Sequence, residues 1–300
     1  MSETDVETTP LYAMNPQSRF SDRAADYANY RPSYPAAAID RILEGLDKPF
    51  GFAVAYGGAS PEGGFPSVGD WRRKPSCSAV SRLQLVAADI GAGTGISSRL
   101  LAERGIRVLA VEPNSEMRQA ALPHPLVEFH NGTAENTNLP NASVDLVVCF
   151  QSFHWFDPTP TLLEFHRILK PTGQLAVVWN DRDRQDEFTQ NYTRLVQIAS
   201  NHHPAESRLV PVDPLLASPL FPNVRCHTFA YRQELDRDGL IGRAMSVSYI
   251  PRSGAAQQQL VSELQELYNR CNENGFVYLV YRTSVYLAQA VCSTSASKPG

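Results

Sequence analysis

Asp89-Ile90-Gly91-Ala92-Gly93-Thr94-Gly95 is the stretch that decides the fold of this 300-residue chain. It directly follows a short apolar run and directly precedes a segment with helical periodicity. Three glycines at alternate positions permit positive φ angles and let a ligand lie against bare backbone, while the start of the next helix offers unpaired N–H groups. Three glycines lose more backbone entropy on folding than other residues do, and a tight turn without a ligand has no need of that cost. The stretch therefore predicts a ligand-binding loop after a first strand.

Outward from this loop, β-branched runs alternate with helical patterns. The predicted strands of this part are 85–89, 108–112, 127–130, 144–150 and 175–179. The predicted helices between and after them are 96–104, stopped by Gly105, then 161–169, stopped by 170–173, and 188–200. This alternation is typical of βαβ units, which build a parallel sheet with helices on both faces.

The last third of the chain changes character. A Pro-rich connection at 204–222 leads to a predicted strand at 224–229, a helix at 261–271 and a long aromatic strand at 276–288. Two late strands fit an antiparallel pair at one edge. We predict an α/β fold: a Rossmann-like, doubly wound, seven-stranded sheet of five parallel strands plus an antiparallel C-terminal pair, with a helical N-terminal lid.

The predicted domain organisation is one domain at 19–292 between disordered ends at 1–18 and 293–300. Residues 47–85 interrupt it with many glycines and prolines and no apolar period, over a length that exceeds ordinary connections. We interpret 47–85 as an insertion, and a wrongly translated non-coding stretch is the alternative.

Composition limits the function classes. Lys and Arg number 27 against 31 Asp and Glu, a formal net charge of −4, so no overall positive field draws in nucleic acid or an anionic membrane. The five cysteines are scattered singly, which favours neither a disulfide framework nor a metal site. An acidic, polar N-terminus and the absence of a long apolar run predict a cytoplasmic protein without a membrane span. No obligate protein partner is indicated.

Glycine spacing separates two classes of nucleotide-containing ligand. Nicotinamide dinucleotide sites place the third glycine three residues after the second, and here that position is Ile96. The Gly91-x-Gly93-x-Gly95 spacing instead resembles motif I of class I methyltransferases, whose ligand has no pyrophosphate. A nicotinamide oxidoreductase and a catalytically silent cofactor-binding module are the alternative functions.

Glu112 ends the second predicted strand in the run Val111-Glu112-Pro113-Asn114. A carboxylate at this place accepts hydrogen bonds from both ribose hydroxyls of a nucleoside. Taken alone, a Glu at a strand end is more often a solvated loop residue or a helix cap. Its position one βα unit after the glycine loop favours the ribose interpretation.

Further motifs resemble one group of these enzymes. The run Gly132-Thr133-Ala134-Glu135 resembles the loop beside the adenine, although Thr133 stands where the family usually has Asp. Residues 19–35, 153–156 and 179–183 resemble the methyltransferase type 11 group that includes trans-aconitate methyltransferase-like proteins. The resemblance covers residues 19–46 and 86 to about 288, and it implies S-adenosylmethionine as the cofactor.

The resemblance also implies site residues, carried over position by position. The implied cofactor-binding residues are Tyr27, Asp89, Gly91, Gly93, Gly95, Glu112, Pro113, Met117, Ala134, Glu135 and Gln151. The implied substrate-binding residues are Arg31, Trp155 and Arg182. For Tyr27 and Arg31 the alternative is simple packing at a helix start, and for Glu135 it is a polar loop.

The reaction implied by the resemblance is in-line displacement of a methyl group by an oxygen, nitrogen or carbon of a small-molecule acceptor. Positioning and exclusion of water supply most of the acceleration, so no catalytic residue is strictly required. His154 is the candidate general base, because it follows the fourth strand and imidazole titrates near neutrality. A histidine between aromatic residues is, alternatively, an orienting wall residue.

The expected acceptor is small and carries a carboxylate. Arg31 lies in the predicted lid, and Arg182 and Arg184 follow the fifth strand, where substrate should bind; arginine recognises carboxylates with a planar pair of donors. The alternative is that these arginines pair with neighbouring aspartates on a solvated surface. After the fourth strand the chain has neither the Asn/Asp-Pro-Pro-aromatic motif of amino-methyltransferases nor a Pro-Cys nucleophile, which speaks against nucleic-acid substrates.

Overall fold

The computed structural model describes Tyr12 and residues 23–46, 84–203 and 212–291. Its helices are α1 (Ala24–Tyr30), α2 (Ala36–Leu43), α3 (Ile96–Ala102), α4 (Ser115–Gln119), α5 (Pro158–Ile168), α6 (Glu187–Ala199), α7 (Asp213–Leu216), α8 (Arg237–Met245) and α9 (Ala255–Cys271). Its strands are β1 (Val86–Ile90), β2 (Arg107–Val111), β3 (Val127–His130), β4 (Val144–Phe150), β5 (Leu169–Arg182), β6 (Arg225–Leu235) and β7 (Val277–Gln289).

All seven strands form one sheet in the order β3-β2-β1-β4-β5-β7-β6. The first five strands pair in parallel. β7 runs antiparallel to β5, and β6 runs antiparallel to β7. The predicted fold class is therefore confirmed. From β1 the chain moves outward to β3 and then returns to β4 on the other side, and ligands bind at such a switch point, beyond the carboxyl ends of the strands.

Apolar side chains cover the sheet on both faces. On one face α5 and α7 pack on the strands, and the buried residues of this cluster include Val147, Leu162, Phe165, Leu175 and Leu215. On the other face α2 and α3 cover the same strands, and the buried residues there include Ile39, Ile42, Leu101, Leu146 and Val178. Burial on two faces explains the nearly continuous apolar runs of β1 and β4.

A separate helical cap stands over the far end of β6 and β7. It joins α6, α8 and α9 around buried residues that include Tyr192, Leu240, Leu264 and Leu279. The N-terminal helix α1 packs against α8, where a Cβ atom on Gly242 would lie 2.5 Å from the ring of Tyr30. A glycine at this position therefore lets the N-terminal lid approach the cap.

Three boundaries differ from the prediction. β5 begins at Leu169, which pairs with Val144, and includes 170–173, which were expected to end a helix; the register shifts over these residues before pairing with β4 and β7 continues from Gln174. β6 extends past the predicted 224–229 to Leu235, since β7 pairs with it throughout. α8 was not predicted: its two glycines weaken helical propensity, while Asp236 caps it by accepting a hydrogen bond from the Gly239 N–H at 2.7 Å.

Smaller differences affect three helices. α3 ends at Ala102 rather than 104, and Gly105 takes a left-handed φ of 81° after the final turn. α9 starts at Ala255 rather than 261, and α7 lies inside the predicted connection 204–222. The predicted ends at 1–18 and 293–300 and the predicted insertion at 47–85 fall almost wholly outside the described residues, so these interpretations stay predictions. Within the described ranges, no helix is long and apolar enough to cross a bilayer.

Candidate functional site

The glycine loop connects β1 to α3 and adopts the backbone that only glycine takes without strain. Gly91, Gly93 and Gly95 have φ angles of 68°, 58° and 73°. A Cβ atom on Gly91 would lie 2.7 Å from the Ser152 Cβ, and one on Gly95 would lie 3.0 Å from the Phe129 ring. A Cβ atom on Gly93 would lie 3.2 Å from the Met117 Cε and 3.6 Å from the Tyr27 ring. Neighbouring side chains thus close on the loop, and those beside Gly93 are two predicted cofactor-binding residues.

Glu112 joins the glycine loop to the end of β2. Its Oε2 accepts a hydrogen bond from the Gly93 N–H at 2.9 Å, and its Oε1 accepts one from the Asn114 N–H at 2.9 Å. Burial raises the pKa of the Glu112 carboxyl, and the two N–H donors oppose that shift. Each carboxylate oxygen has a second lone pair, so the side chain can still accept hydrogen bonds from ribose hydroxyls. Glu112 therefore has a structural role in addition to the predicted binding role.

Asp89 is fully buried at the end of β1 and does not line the cavity beside the loop. Its Oδ2 accepts hydrogen bonds from the hydroxyls of Ser97 at 2.6 Å and Ser98 at 2.7 Å, in the first turn of α3. Burial raises the pKa of Asp89 to about 6, against the effect of the two hydroxyls. The geometry gives Asp89 the role of holding the glycine loop to α3 rather than a direct contact with a ligand.

The loop after β3 lies on the opposite side of the same cavity. Thr133, Ala134 and Glu135 all line it. Thr133 Oγ1 accepts a hydrogen bond from the Asn136 N–H at 3.2 Å, and Glu135 Oε1 accepts one from the Asp157 N–H at 3.1 Å. Glu135 therefore fixes the start of α5 against this loop.

Gln151 marks the end of β4 with a positive φ of 54°, a strained backbone for a residue with a side chain. Its side-chain amide donates to the Asn180 carbonyl at 3.0 Å, which fixes it between β4 and β5. Strained residues of this kind are concentrated at ligand sites. Gln151 lines two cavities and stands at their junction.

The first cavity, of about 530 Å³, lies over the glycine loop. Nine of the eleven predicted cofactor-binding residues line it: Tyr27, Gly91, Gly93, Glu112, Pro113, Met117, Ala134, Glu135 and Gln151. Asp89 and Gly95 do not. The volume is in the range of small-molecule and cofactor sites. A carboxylate for ribose hydroxyls, a close-approach backbone at Gly93 and the loop after β3 together fit a nucleoside with a methionine tail.

A second cavity, of about 870 Å³, adjoins the first. The two share Tyr27, Gln151 and Trp155. The remaining walls come from β5, α6, α8, β7, the end of α1 and the segment after β4. They include Arg182, Arg31 and His154, all predicted from the sequence. The arrangement suits two ligands that meet at the shared residues. Within the described part of the chain, no group of three or more His, Cys, Asp or Glu side chains is placed to hold a metal ion.

His154 lines the second cavity with its ring against Trp155, at 4.8 Å between centroids. Its Nδ1 is buried without a hydrogen-bond partner. Burial, and secondly the positive charge of Arg31, lower the pKa of His154 to about 4. The expectation that His154 titrates near neutrality is therefore wrong: the ring is neutral at pH 7 and a weak base.

The arginines after β5 differ in their surroundings. Arg182 donates to the Thr193 hydroxyl at 3.1 Å and lies over the Tyr192 ring, with its Cζ 5.3 Å from the ring centroid. Arg184 is exposed. Its charge and that of Arg282 lower the pKa of Asp181, opposing the larger rise caused by burial. Arg182 thus belongs to the inner wall, whereas Arg184 matches the alternative of a solvated charge beside an aspartate.

Sequence reasoning missed several lining residues. Ser152, Phe156 and Asp157 line the first cavity, and their signal was available because they closely follow β4. Arg243 lines the second cavity, and no local motif marks it because it comes from α8, far along the chain. Tyr281 also lines the second cavity, and it belongs to the aromatic strand that the sequence predicts near the acceptor.

Comparisons with known proteins relate this chain to methyltransferases. Residues 88–177 match the family model described as a methyltransferase domain. An uncharacterized methyltransferase of Mycobacterium tuberculosis is 31% identical over 239 residues, 79% of this chain and 79% of that protein. An uncharacterized methyltransferase of Schizosaccharomyces pombe is 36% identical over 111 residues, 36% of this chain and 44% of that protein.

Among solved structures, a type II methyltransferase from Anaeromyxobacter dehalogenans superposes with a TM-score of 0.59 at 23% identity. The match covers 87% of this chain and 98% of that one. At this identity the likeness shows the fold alone. The superposition includes most of the chain, so the two proteins share the arrangement of the sheet and its helices.

Proposed function

Because the chain belongs to the class I methyltransferases, whose methyl donor is S-adenosylmethionine, we propose that it methylates a small acceptor that carries a carboxylate. The observation that carries this proposal is the junction of the two cavities at Tyr27, Gln151 and Trp155. Family membership favours this function over the nicotinamide oxidoreductase and the silent module. The setting we propose is the cytoplasm, without nucleic acid as a partner.

The first cavity holds the donor in this proposal. Glu112 accepts from the ribose hydroxyls, the backbone at Gly93 accommodates the methionine part, and the loop at Ala134 lies beside the adenine. When bound, S-adenosylmethionine supplies an electrophilic methyl group on a sulfonium. Gln151 and Trp155 separate the donor from bulk water and orient the acceptor at the junction.

The protonation state of the His154 ring bears on which kind of acceptor the site can use. A ring with a pKa of about 4 is a poor acceptor for the proton of an amine or an alcohol. A carboxylate is ionised at neutral pH and needs no base to attack a methyl group. His154 is therefore proposed as a wall residue for an ionised acceptor, with general-base catalysis as the alternative.

A radiolabelled-methyl assay tests the proposal. Purified full-length protein is incubated with labelled S-adenosylmethionine and, separately, with small polycarboxylates, phenols, amines, peptides and RNA. We expect transfer to a small carboxylate-bearing molecule and a loss of at least tenfold in kcat/KM for Arg31→Ala. Transfer only to neutral, amine or macromolecular acceptors, with Arg31→Ala fully active, contradicts the carboxylate part and leaves the methyltransferase part intact.

A further inference from the structure

Two arginines meet where the N-terminal lid packs on the cap. Arg31 follows the last residue of α1, and Arg243 lies in the last turn of α8. Arg31 Nη2 donates to the Ser246 carbonyl at 3.0 Å, and the Ser246 hydroxyl donates to the Arg243 carbonyl at 2.8 Å. Both guanidinium groups line the second cavity. Their position is fixed by backbone contacts of two packed helices.

Within the part of the chain that the structure describes, neither arginine finds an anionic partner. Arg243 is 4% exposed, yet the hydrogen bond of its side chain is a long one, 3.4 Å from Nε to the Tyr281 hydroxyl. Its Nη1 and the Nε of Arg31 are buried without hydrogen-bond partners. Among the described residues, no salt bridge joins either side chain to a carboxylate. Each guanidinium thus keeps at least one buried N–H-bearing nitrogen without an acceptor, which a ligand could supply.

The surroundings of the pair are aromatic rather than acidic. Tyr27 lies under Arg31, with the Arg31 Cζ 4.7 Å from the ring centroid. Burial, and secondly the charge of Arg243, lower the pKa of Arg31 to about 10. The two aspartates of this cavity lie elsewhere: Asp181 is beside Arg282 and Arg184, and Asp183 accepts from the Gln185 N–H at 2.8 Å.

Arg243 is buried and Arg31 is partly buried, and within the described residues these two like charges have no counter-ion. Such an arrangement is costly for a folded protein, and the cost is offset where a ligand supplies the opposite charge. We propose that Arg31 and Arg243 form an anion subsite that anchors a carboxylate of the methyl acceptor. This inference rests on the proposed function in one respect, that the anion belongs to the acceptor. A planar, bidentate carboxylate matches the free guanidinium edges.

The position of the subsite also separates anchoring from reaction. Neither arginine lines the first cavity, whereas Tyr27, Gln151 and Trp155 line both. The anchored carboxylate is therefore distinct from the group that receives the methyl. The acceptor carries at least two functional groups: one carboxylate at the arginine pair and a separate nucleophile at the shared residues, which in the proposed function is a second ionised carboxylate.

Binding of citrate and succinate to the full chain, without cofactor, tests the subsite by calorimetry and thermal unfolding at low ionic strength. The variants are Arg243→Met and Arg31→Met, which keep an unbranched apolar stem and remove the charged guanidinium. Arg237→Met is the matched control, because Arg237 lies exposed on the same helix. Inorganic phosphate is titrated in parallel, and S-adenosylhomocysteine binding is measured for each variant.

We expect both subsite variants to bind citrate at least tenfold more weakly than the parent and the control. Their affinity for S-adenosylhomocysteine should stay within about threefold, and their ligand-free unfolding midpoints should equal or exceed that of the parent. Undiminished citrate binding in both variants, an equal loss in Arg237→Met, or tighter binding of phosphate than of every carboxylate would overturn the proposal. A lower ligand-free midpoint with unchanged citrate binding would identify Arg243 as a structural residue.

The two proposals fail separately. A parent that binds S-adenosylhomocysteine and not citrate loses the subsite and keeps the methyltransferase function. A parent that binds citrate through Arg243 and fails to bind S-adenosylhomocysteine keeps the anion subsite and loses the proposed function. If Arg243→Met does not fold, Arg31→Met and Arg243→Lys carry the same comparison, and Arg243→Lys should bind citrate more weakly than the parent because it lacks the planar pair of donors.

Discussion

Replacement of Gly93 by alanine separates a binding role of the glycine loop from a purely conformational one. Gly93 and Gly105 both have left-handed backbones, with φ angles of 58° and 81°. A Cβ atom on Gly105 meets nothing within 4 Å, whereas one on Gly93 comes 3.2 Å from the Met117 Cε. Gly105→Ala is therefore a control that carries the same backbone strain without the contact.

The expected changes in stability and in affinity follow from the backbone strain and from the contact with Met117. Left-handed alanine costs about 1–2 kcal/mol of stability in each variant. For a protein of this size, each kcal/mol lowers the unfolding midpoint by about 2–4 °C. The end of the Met117 side chain can move by the few tenths of an ångström that Gly93→Ala requires, so both variants should fold. Met117 and Tyr27 line the first cavity, however, so the added methyl group and the displaced Met117 narrow the space for the donor.

The assay is calorimetric titration with S-adenosylhomocysteine. We expect Gly93→Ala to raise the Kd at least tenfold, about 1.4 kcal/mol, and Gly105→Ala to leave it within about twofold. Gly93→Val, whose branched side chain reaches further, should abolish measurable binding. Parent-like affinity in a folded Gly93→Val protein, or an equal loss in Gly105→Ala, would refute the assignment of the loop as the cofactor site.

Four further predictions follow from single residues or segments. Glu112→Ala should weaken S-adenosylhomocysteine binding by about 1.5–3 kcal/mol. It should also lower the stability of the fold, because the Gly93 and Asn114 N–H groups lose their acceptor. Unchanged affinity in calorimetry would show that Glu112 has a structural role only. The pKa of Asp89, raised to about 6, means that its stabilising contribution is complete below about pH 4 and lost as the pH rises through 6. Urea unfolding between about pH 5 and pH 8 should therefore show a loss of about 1–2 kcal/mol, the part of the effect that remains above pH 5, and Asp89→Asn should remove it; an identical slope in both proteins would contradict it. The imidazole resonances of His154 should not titrate between about pH 5.5 and pH 8, since burial lowers its pKa to about 4; an NMR midpoint near 6.5 would show that the ring is solvated. Deletion of residues 48–82 should leave cofactor affinity largely intact, because the segment lacks an apolar period, and a variant that does not fold would show that it is an integral element.

Local chemistry made most of the fold predictable. A strand buried on two faces, a glycine loop and an amphipathic helix each leave a pattern within about ten consecutive residues, and the five parallel strands and the antiparallel pair follow from such patterns. Nine of the eleven cofactor-binding residues that the family resemblance implies line the first cavity. Boundaries were less certain where pairing with distant strands overrides local signals. β5 begins at Leu169 because β4 pairs with it there before the register shift, and β6 continues to Leu235 because β7 pairs with it throughout; no local window contains these partners.

The tertiary structure decided which charges group together in the second cavity, although Arg31, Trp155 and Arg182 were predicted from the sequence. Arg243 reaches this cavity from an element more than 200 residues beyond Arg31, and α8 itself carries two glycines that hide its helical pattern. Charge states also depended on burial: His154 and Arg31 change their pKa because packing excludes water from them and places them together. The sequence by itself determined the sheet, the glycine loop and Glu112, since adjacent residues specify them. Which charged groups face one another, and what they bind, follows only from the packing of distant segments.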